Sequence, residues 1–211
     1  MGWAPAGARA GCRVTPAAGG ARPLWIAVEG LDGVGKSTLV GGLADALGAE
    51  VVRNPPASLA AARVQADAAA PEPRRAWYLE ANRVAAQEAQ ALVRAGSWVV
   101  MDRSAASTVA FGAAERGAVA AAADWPDGLP RPDLLVFLDL DEAARRARIG
   151  GRPGARTDEE GRLVTDAGFR DRVVAGYRAL CAQRVDAAGA AAEVLAQTLA
   201  LARAVSSGGR G

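Results

Sequence analysis

Gly30-Leu31-Asp32-Gly33-Val34-Gly35-Lys36-Ser37 is the stretch of this chain whose residue types and spacing most directly imply chemistry. It fits the pattern G-x-x-x-x-G-K-[S/T] without a mismatch. Glycines at these positions let a backbone close on an anion with no Cβ in the way. Lys36 supplies a cation for outer phosphates, and the Ser37 hydroxyl, followed by Thr38, suits Mg²⁺. The flanks agree. Leu24-Trp25-Ile26-Ala27-Val28 predicts a buried strand running into the loop, and Leu39, Leu43 and Leu47 recur at helical spacing behind it. A strand, a glycine loop and a helix N-terminus aim backbone N–H groups at one point, where the helix dipole also favours negative charge. The competing explanation is a chance Gly-rich turn before a helix. With strand, loop and helix all in place, the stretch implies a nucleoside triphosphate site.

Composition bounds the rest. In 211 residues, 25 Lys and Arg face 23 Asp and Glu, a formal net charge of +2. That balance describes a mixed surface, not a nucleic-acid binder, and no basic aromatic stripe is present. Cys12 and Cys181 are the only cysteines, so there is no disulfide framework and no Cys-rich zinc site, which fits an intracellular setting, cytoplasmic or mitochondrial. No apolar run is long enough to span a bilayer. The chain has no histidine, which removes the usual general base and any Ser-His-Asp triad. Phosphoryl transfer does without one, because its catalysis is mostly positioning and charge neutralisation. Lys36 is the single lysine in an arginine-rich chain, a pattern that GC-rich coding also produces.

Residues 1–22 are Ala/Gly/Pro-rich, free of acids and Arg-bearing, which predicts a disordered tail or a transit segment. Residues 206–211 read as a loose C-terminus. Between them, 23–205 alternates strands and helices. Glu50–Arg53, Trp98–Met101 and Leu134–Leu138 read as further strands. Helices are expected over Arg74–Ala95, Ser104–Ala123, Asp141–Arg148, Asp166–Leu180 and Ala190–Val205. Ile149–Arg162 reads as a Gly/Arg/acid-rich loop. This order predicts an α/β fold: a three-layer, doubly wound parallel sheet with flanking helices, binding ligands at the strand C-terminal ends. The phosphate loop, Arg53 and Asp102-Arg103 all fall at such ends.

With these residues in hand, Trp25 to about Val205 resembles the thymidylate kinase-like nucleoside monophosphate kinases, P-loop NTPases with an arginine-bearing lid, and most closely their UMP–CMP kinase 2 branch. The loop Glu29 to Thr38, including Asp32, matches the family's form. Arg53-Asn54-Pro55 resembles its Arg-Glu-Pro turn, with Asn54 in place of the glutamate, and Pro55-Pro56 is similar to the UMP–CMP kinase 2 branch. So are Arg74-Arg75-Ala76-Trp77-Tyr78 and Asn82. Met101-Asp102-Arg103 through Ser107-Thr108 resembles the Asp-Arg segment that faces the acceptor phosphate and the metal. Arg152 to Glu160 is similar to the arginine-bearing lid, and Val185-Asp186-Ala187 to the adenine-edge loop. Arg83 stands where thymidylate kinases read the pyrimidine edge. Gly33 stands where some of them place an arginine, so the resemblance assigns the catalytic arginine to the lid.

What the resemblance implies is a Mg²⁺-dependent kinase that moves the ATP γ-phosphoryl group onto a pyrimidine (deoxy)nucleoside monophosphate, working as a homodimer. Gly30 to Thr38 with Asp186 and Ala187 would bind ATP. Ser37 and Asp102 would hold the metal. Arg53, Arg103 and Ser107 would grip the acceptor phosphate, with Asp102 on the substrate side as well or orienting Arg103, Asp32 would hold its sugar, and Tyr78 and Arg83 its base. Lys36, Arg103, Arg152 and Arg156 would stabilise the transferring phosphoryl group. Each has a plainer explanation: a strand-end arginine for Arg53 and Arg103, a turn residue for Asp102, a loop brace for Asp32, and a solvated charge run for Arg152 and Arg156. Tyr78 could be core, and Arg83 could decorate a solvated helix face. Convergence on one crevice would lift the first reading. The alternative is a non-catalytic P-loop regulator, although no Asn-Lys-x-Asp guanine signature is present.

Overall fold

The computed structural model describes residues 22–149, 158–181 and 183–208. Arg152 and Arg156, and the expected tail apart from Arg22, lie outside the described residues. Five strands, β1 (Trp25–Glu29), β2 (Glu50–Arg53), β3 (Val99–Asp102), β4 (Leu134–Asp139) and β5 (Gln183–Asp186), form one sheet in the order β2-β3-β1-β4-β5. Every pairing is parallel. Strands β1 and β4 are buried along their whole length, as expected where helices cover both faces.

The helices are α1 (Lys36–Leu47), α2 (Ala60–Asp67), α3 (Pro71–Arg94), α4 (Ala105–Glu115), α5 (Glu142–Ile149), α6 (Asp158–Thr165), α7 (Ala167–Leu180) and α8 (Ala191–Gly208). On one face α1 packs on β3 and α8 on β4 and β5, with Leu195 of α8 set against Gly42 of α1. On the other, α3 crosses β1, β2 and β3 while α4 lies along α7. The core between is apolar, mixing aliphatic and aromatic side chains, with Ile26, Leu43, Met101, Phe137, Phe169 and Tyr177 almost fully buried.

Four expectations need correction. The helix expected over Ser104–Ala123 stops at Glu115, because Gly117 turns left-handed at φ 77° and the Ala118 N–H closes back on the Ala113 carbonyl. Part of the expected 149–162 loop is helix α6. Residues 206–208 are not a loose end: α8 runs to Gly208, and buried Ser206 donates to the Arg22 carbonyl. Arg22 is itself tied to Asp133 at 2.9 Å, so it belongs to the folded unit. Asp186, expected in a loop, is the last residue of β5.

Parallel register places the strand ends side by side. Val28 pairs with Asp102, and Arg53 pairs with the same Asp102 from the other side. Residues leaving β1, β2 and β3 therefore enter one crevice at the carboxyl edge of the sheet. Among the described residues no helix is long and apolar enough to cross a membrane.

Candidate active site

The loop after β1 depends on its glycines. Gly30, Gly33 and Gly35 adopt φ of 147°, 90° and 105°, values that L side chains rarely tolerate. A Cβ on Gly30 would sit 2.9 Å from the Leu138 carbonyl oxygen, whereas one on Gly35 would meet nothing within 4 Å. Helix α1 then starts with a glycine N-cap, no capping side chain and no acid in its first turn. Its first N–H groups are left for an anion, where the helix dipole also favours one.

Lys36 is 7% exposed, more enclosed than a lysine reaching into open solvent. Its Nζ donates to the Leu31 carbonyl at 2.9 Å and to Asp32 Oδ1 at 3.2 Å. Burial, with the Arg103 charge adding to it, lowers the Lys36 pKa to about 8, although Asp32 pulls the other way. The same Asp32 oxygen accepts from Arg103 Nη2 at 2.5 Å. Burial opposes the charge on Asp32, but the two cations hold its carboxyl below the usual range.

Arg103 follows β3 with φ 69°, a left-handed backbone unusual for a non-glycine residue and worth about 1–3 kcal/mol of strain. What holds it there lies on both sides. Its N–H donates to the Val28 carbonyl at 3.1 Å. Next to it, the Ser104 N–H and hydroxyl donate to Glu29 Oε1 at 2.6 and 2.7 Å, and the Ser107 hydroxyl donates to Glu29 Oε2 at 2.7 Å. Glu29 is fully buried; burial pushes its pKa up against the pull of Ser104, Ser107 and Arg103. Arg103 Nη1 faces the Ser107 oxygen at 3.2 Å and the Tyr177 oxygen at 3.4 Å, and those two oxygens are 2.8 Å apart. Burial opposes the Arg103 charge, but the anionic groups around it hold its pKa above the ordinary value.

Helix α5 braces the loop from beneath. Arg145, 1% exposed, is gripped by Glu142 at 2.6 and 2.9 Å and donates to the Asp32 carbonyl at 3.1 Å. Arg148 donates to the Val34 carbonyl at 3.3 Å and to the Ala187 carbonyl at 2.9 Å, joining the phosphate loop to the segment after β5. Ile149 fills the space under Gly33, where a Cβ would lie 2.5 Å from its Cγ1.

The structure thus brings Lys36, Asp32, Arg103 and Ser107 into direct contact. Arg53 sits exposed at the end of β2, its Cα beside that of Asp102. Ser37 and Thr38 are exposed at the start of α1, and Asp102 is near enough to bear on the Lys36 charge. The Ser37 hydroxyl and the Asp102 carboxylate are donor types that Mg²⁺ accepts where substrate phosphates supply further oxygens, and no group of three or more His, Cys, Asp or Glu that could hold a metal is present among the described residues. The set fits that ion.

The expected base contacts do not meet. Tyr78 donates to Asp67 at 2.6 Å, while Arg83 pairs with Glu80 of its own helix at 3.5 Å. Five residues apart on α3, they point about 140° away from each other. Between them, buried Asn82 accepts from Asn54 at 2.5 Å and donates to Thr108 at 2.8 Å, tying the β2 turn to α4.

Sequence reasoning assigned no site role to Glu29, Tyr177, Arg145 or Arg148. One signal was available for Glu29: a carboxylate ending an otherwise apolar strand must find partners. Arg145, Arg148 and Ile149 also share one helical face.

The family model for thymidylate kinase matches residues 28–194, from the end of β1 into α8. The chain belongs to the thymidylate kinase family. Among relatives, the thymidylate kinase of Cereibacter sphaeroides is 32% identical over 212 residues, covering 86% of this chain and 94% of its own. That of Leifsonia xyli is 36% identical over 177 residues, covering 76% and 82%. Human mitochondrial UMP-CMP kinase 2 is 31% identical over 161 residues, 72% of this chain; the match spans only 36% of that longer protein. A solved thymidylate kinase from Candida albicans superposes with a TM-score of 0.67 at 20% identity, covering 86% of this chain and 91% of its own. That likeness supports the fold.

Proposed function

We propose that this protein transfers the γ-phosphoryl group of ATP to a pyrimidine nucleoside or deoxynucleoside monophosphate (dTMP, dUMP, UMP or CMP), giving ADP and the diphosphate. One observation carries the reading: a single oxygen of Asp32 holds both Lys36 and Arg103. Lys36 belongs to a loop built for the donor's phosphates. Arg103 ends the neighbouring strand, where an acceptor phosphate would sit in line. Bringing two phosphates together requires cations on both sides in a place that excludes water, and buried Lys36 with part-buried Arg103 supplies them. When phosphates take over the two cations, Asp32 is released to accept from a sugar hydroxyl.

Arg53 and Arg103 then fork onto the acceptor phosphate, with Ser107 beside them. Ser37 and Asp102 hold Mg²⁺, which neutralises charge on the phosphates. Arg152 and Arg156, outside the described residues, are assigned to the charge that spreads over the transferring group. Asp186 and Ala187 border the adenine, and Arg148 keeps that segment at a fixed distance from the loop. Tyr78 and Arg83 are assigned to the base, Arg83 donating to the 4-carbonyl of uracil or thymine, which cytosine lacks. For both to reach one base, Arg83 must leave Glu80. The protein is proposed to work as a homodimer on small-molecule substrates, without nucleic acid.

The test is ADP release measured with dTMP, dUMP, UMP, CMP and dCMP in turn. Turnover above the ATP-only rate with 4-oxo pyrimidines, narrowed relative to cytosine substrates by Arg83→Ala, supports the reading. ATP binding without turnover on any monophosphate would identify a non-catalytic P-loop regulator.

A further inference from the structure

We infer that Glu29 is a positioning residue for Arg103: its carboxylate fixes the direction of a Ser107–Tyr177 hydrogen-bond relay, so that two lone pairs face Arg103 Nη1. The inference rests on the kinase reading, in which Arg103 grips the acceptor phosphate.

Proton counting gives the direction. With Glu29 ionised, the state that the Ser104 N–H, two hydroxyls and the Arg103 charge favour against the upward push of burial, the carboxylate only accepts, so Ser104 and Ser107 both spend their single hydroxyl proton on it, at 2.7 Å each. Ser107 then has no proton for Tyr177. The 2.8 Å contact between them must run from the Tyr177 hydroxyl to the Ser107 oxygen. That leaves a lone pair on Ser107 and one on Tyr177, and Arg103 Nη1 lies 3.2 and 3.4 Å from these oxygens. Nη1 is held from within the protein, while Nη2 projects to Asp32 and the crevice. Tyr177 cannot swing away, because its ring is fully buried and stacks on Phe137 at 5.2 Å. The charged groups that bear on Glu29 agree: Arg103 is the cation beside it, while Tyr177 and Cys181, both raised in pKa by burial, keep their protons. The relay thereby couples the residue before the phosphate loop to the arginine on the next strand.

Glu29→Gln tests the direction with little change in shape. The Ser104 backbone N–H is a donor that cannot be reversed, so it must face the amide oxygen. The amide nitrogen is then forced to donate to Ser107. The Ser107 proton turns to Tyr177, and the Tyr177 proton turns onto Arg103 Nη1, donor against donor. In the full chain we expect KM for the monophosphate to rise about tenfold or more, with KM for ATP within about threefold. Tyr177→Phe removes the last relay member, so adding Glu29→Gln to it should cost much less than in the parent, a non-additivity of about fivefold or more.

Side-chain ¹⁵N NMR of Arg103 without nucleotide gives a reading independent of turnover: separate Nη signals in the parent, averaged signals in Glu29→Gln. Additive effects, or parental KM and parental NMR in the folded Glu29→Gln protein, would overturn the relay. Should Glu29→Gln not fold, Tyr177→Phe must itself raise KM for the monophosphate and loosen the NMR signals, and failure to do so overturns the relay equally. If the parent turns over no monophosphate but the NMR contrast appears, the kinase reading falls and the relay stands.

Discussion

Arg103 and Asp32 meet at 2.5 Å across the boundary between β3 and the phosphate loop, at a contact separated by 71 residues of chain. A charge-assisted bond of that kind is strong because both partners are largely shielded from water. It is also exchangeable, since a phosphate offers Arg103 the same geometry with more charge.

The first prediction follows. Arg103→Ala should raise KM for the monophosphate by about 10–100-fold while KM for ATP changes little, and Arg103→Lys should recover only part of the loss because a point charge cannot fork. Steady-state kinetics with each substrate varied separately checks it. A parallel rise in both constants would mean that Arg103 serves the whole crevice and not the acceptor.

Lys36 yields a prediction about charge and pH. Lys36→Ala should keep its fold by circular dichroism and lose about 10²-fold or more in kcat. The folded pKa of about 8 lies below the ordinary 10.5, so between those values the folded protein binds fewer protons than the unfolded one. The cost of burying this charge is present in full below pH 8, and stability from this group rises as pH climbs through that window. Phosphates bound beside Lys36 restore its proton. Calorimetry of ATP binding at about pH 9, in two buffers of different ionisation heat, should therefore show net proton uptake in the parent and less in Lys36→Ala.

Gly33→Ala should destabilise the protein by about 1–3 kcal/mol, because φ 90° is strained for alanine and the new methyl would meet Ile149 at 2.5 Å. Adding Ile149→Ala should relieve the clash and leave the strain, so the double variant should melt above Gly33→Ala yet below the parent. Thermal melts of the three proteins decide this.

Arg145→Met should leave α5 largely intact but free the Asp32 carbonyl and loosen the hold on Glu142. Glu142 keeps Arg146 and Arg170, so the loss is smaller than for an orphaned buried charge. We expect a lower melting temperature together with a several-fold fall in kcat/KM for ATP, as the loop loses a brace. An unchanged kcat/KM with a lowered melting temperature would confine Arg145 to stability.

Legibility from sequence divided along the range of the interactions. The strand Trp25–Glu29, the loop and α1 were readable because glycine conformation, strand apolarity and helical leucine spacing are local properties. The run of alanines beyond Gly117 suggested a longer α4, but a left-handed glycine outweighs helix propensity. Helix α2 was invisible because it buries little besides Ala66, so its pattern carries no apolar stripe. In the site, the approach of the phosphate loop to Arg53 and Asp102-Arg103 was legible because strand ends converge in this topology, while the contact of Lys36 and Arg103 on one Asp32 oxygen was not. The partners of Glu29 were not readable, since Ser104, Ser107 and Tyr177 lie far along the chain and meet it only through the packing of α4 and α7 on the sheet. Tyr78 and Arg83 were paired by resemblance alone, and helix geometry points them apart.

The register of Val28 against Asp102 has a mechanical meaning. On the proposed reading the donor side of the crevice grows from β1 and the acceptor side from its neighbour β3, and those two strand ends lie one sheet spacing apart, about 4.8 Å. The backbone acts as a ruler. The spacing of the two strand ends is set by amide geometry that no side-chain substitution can rescale.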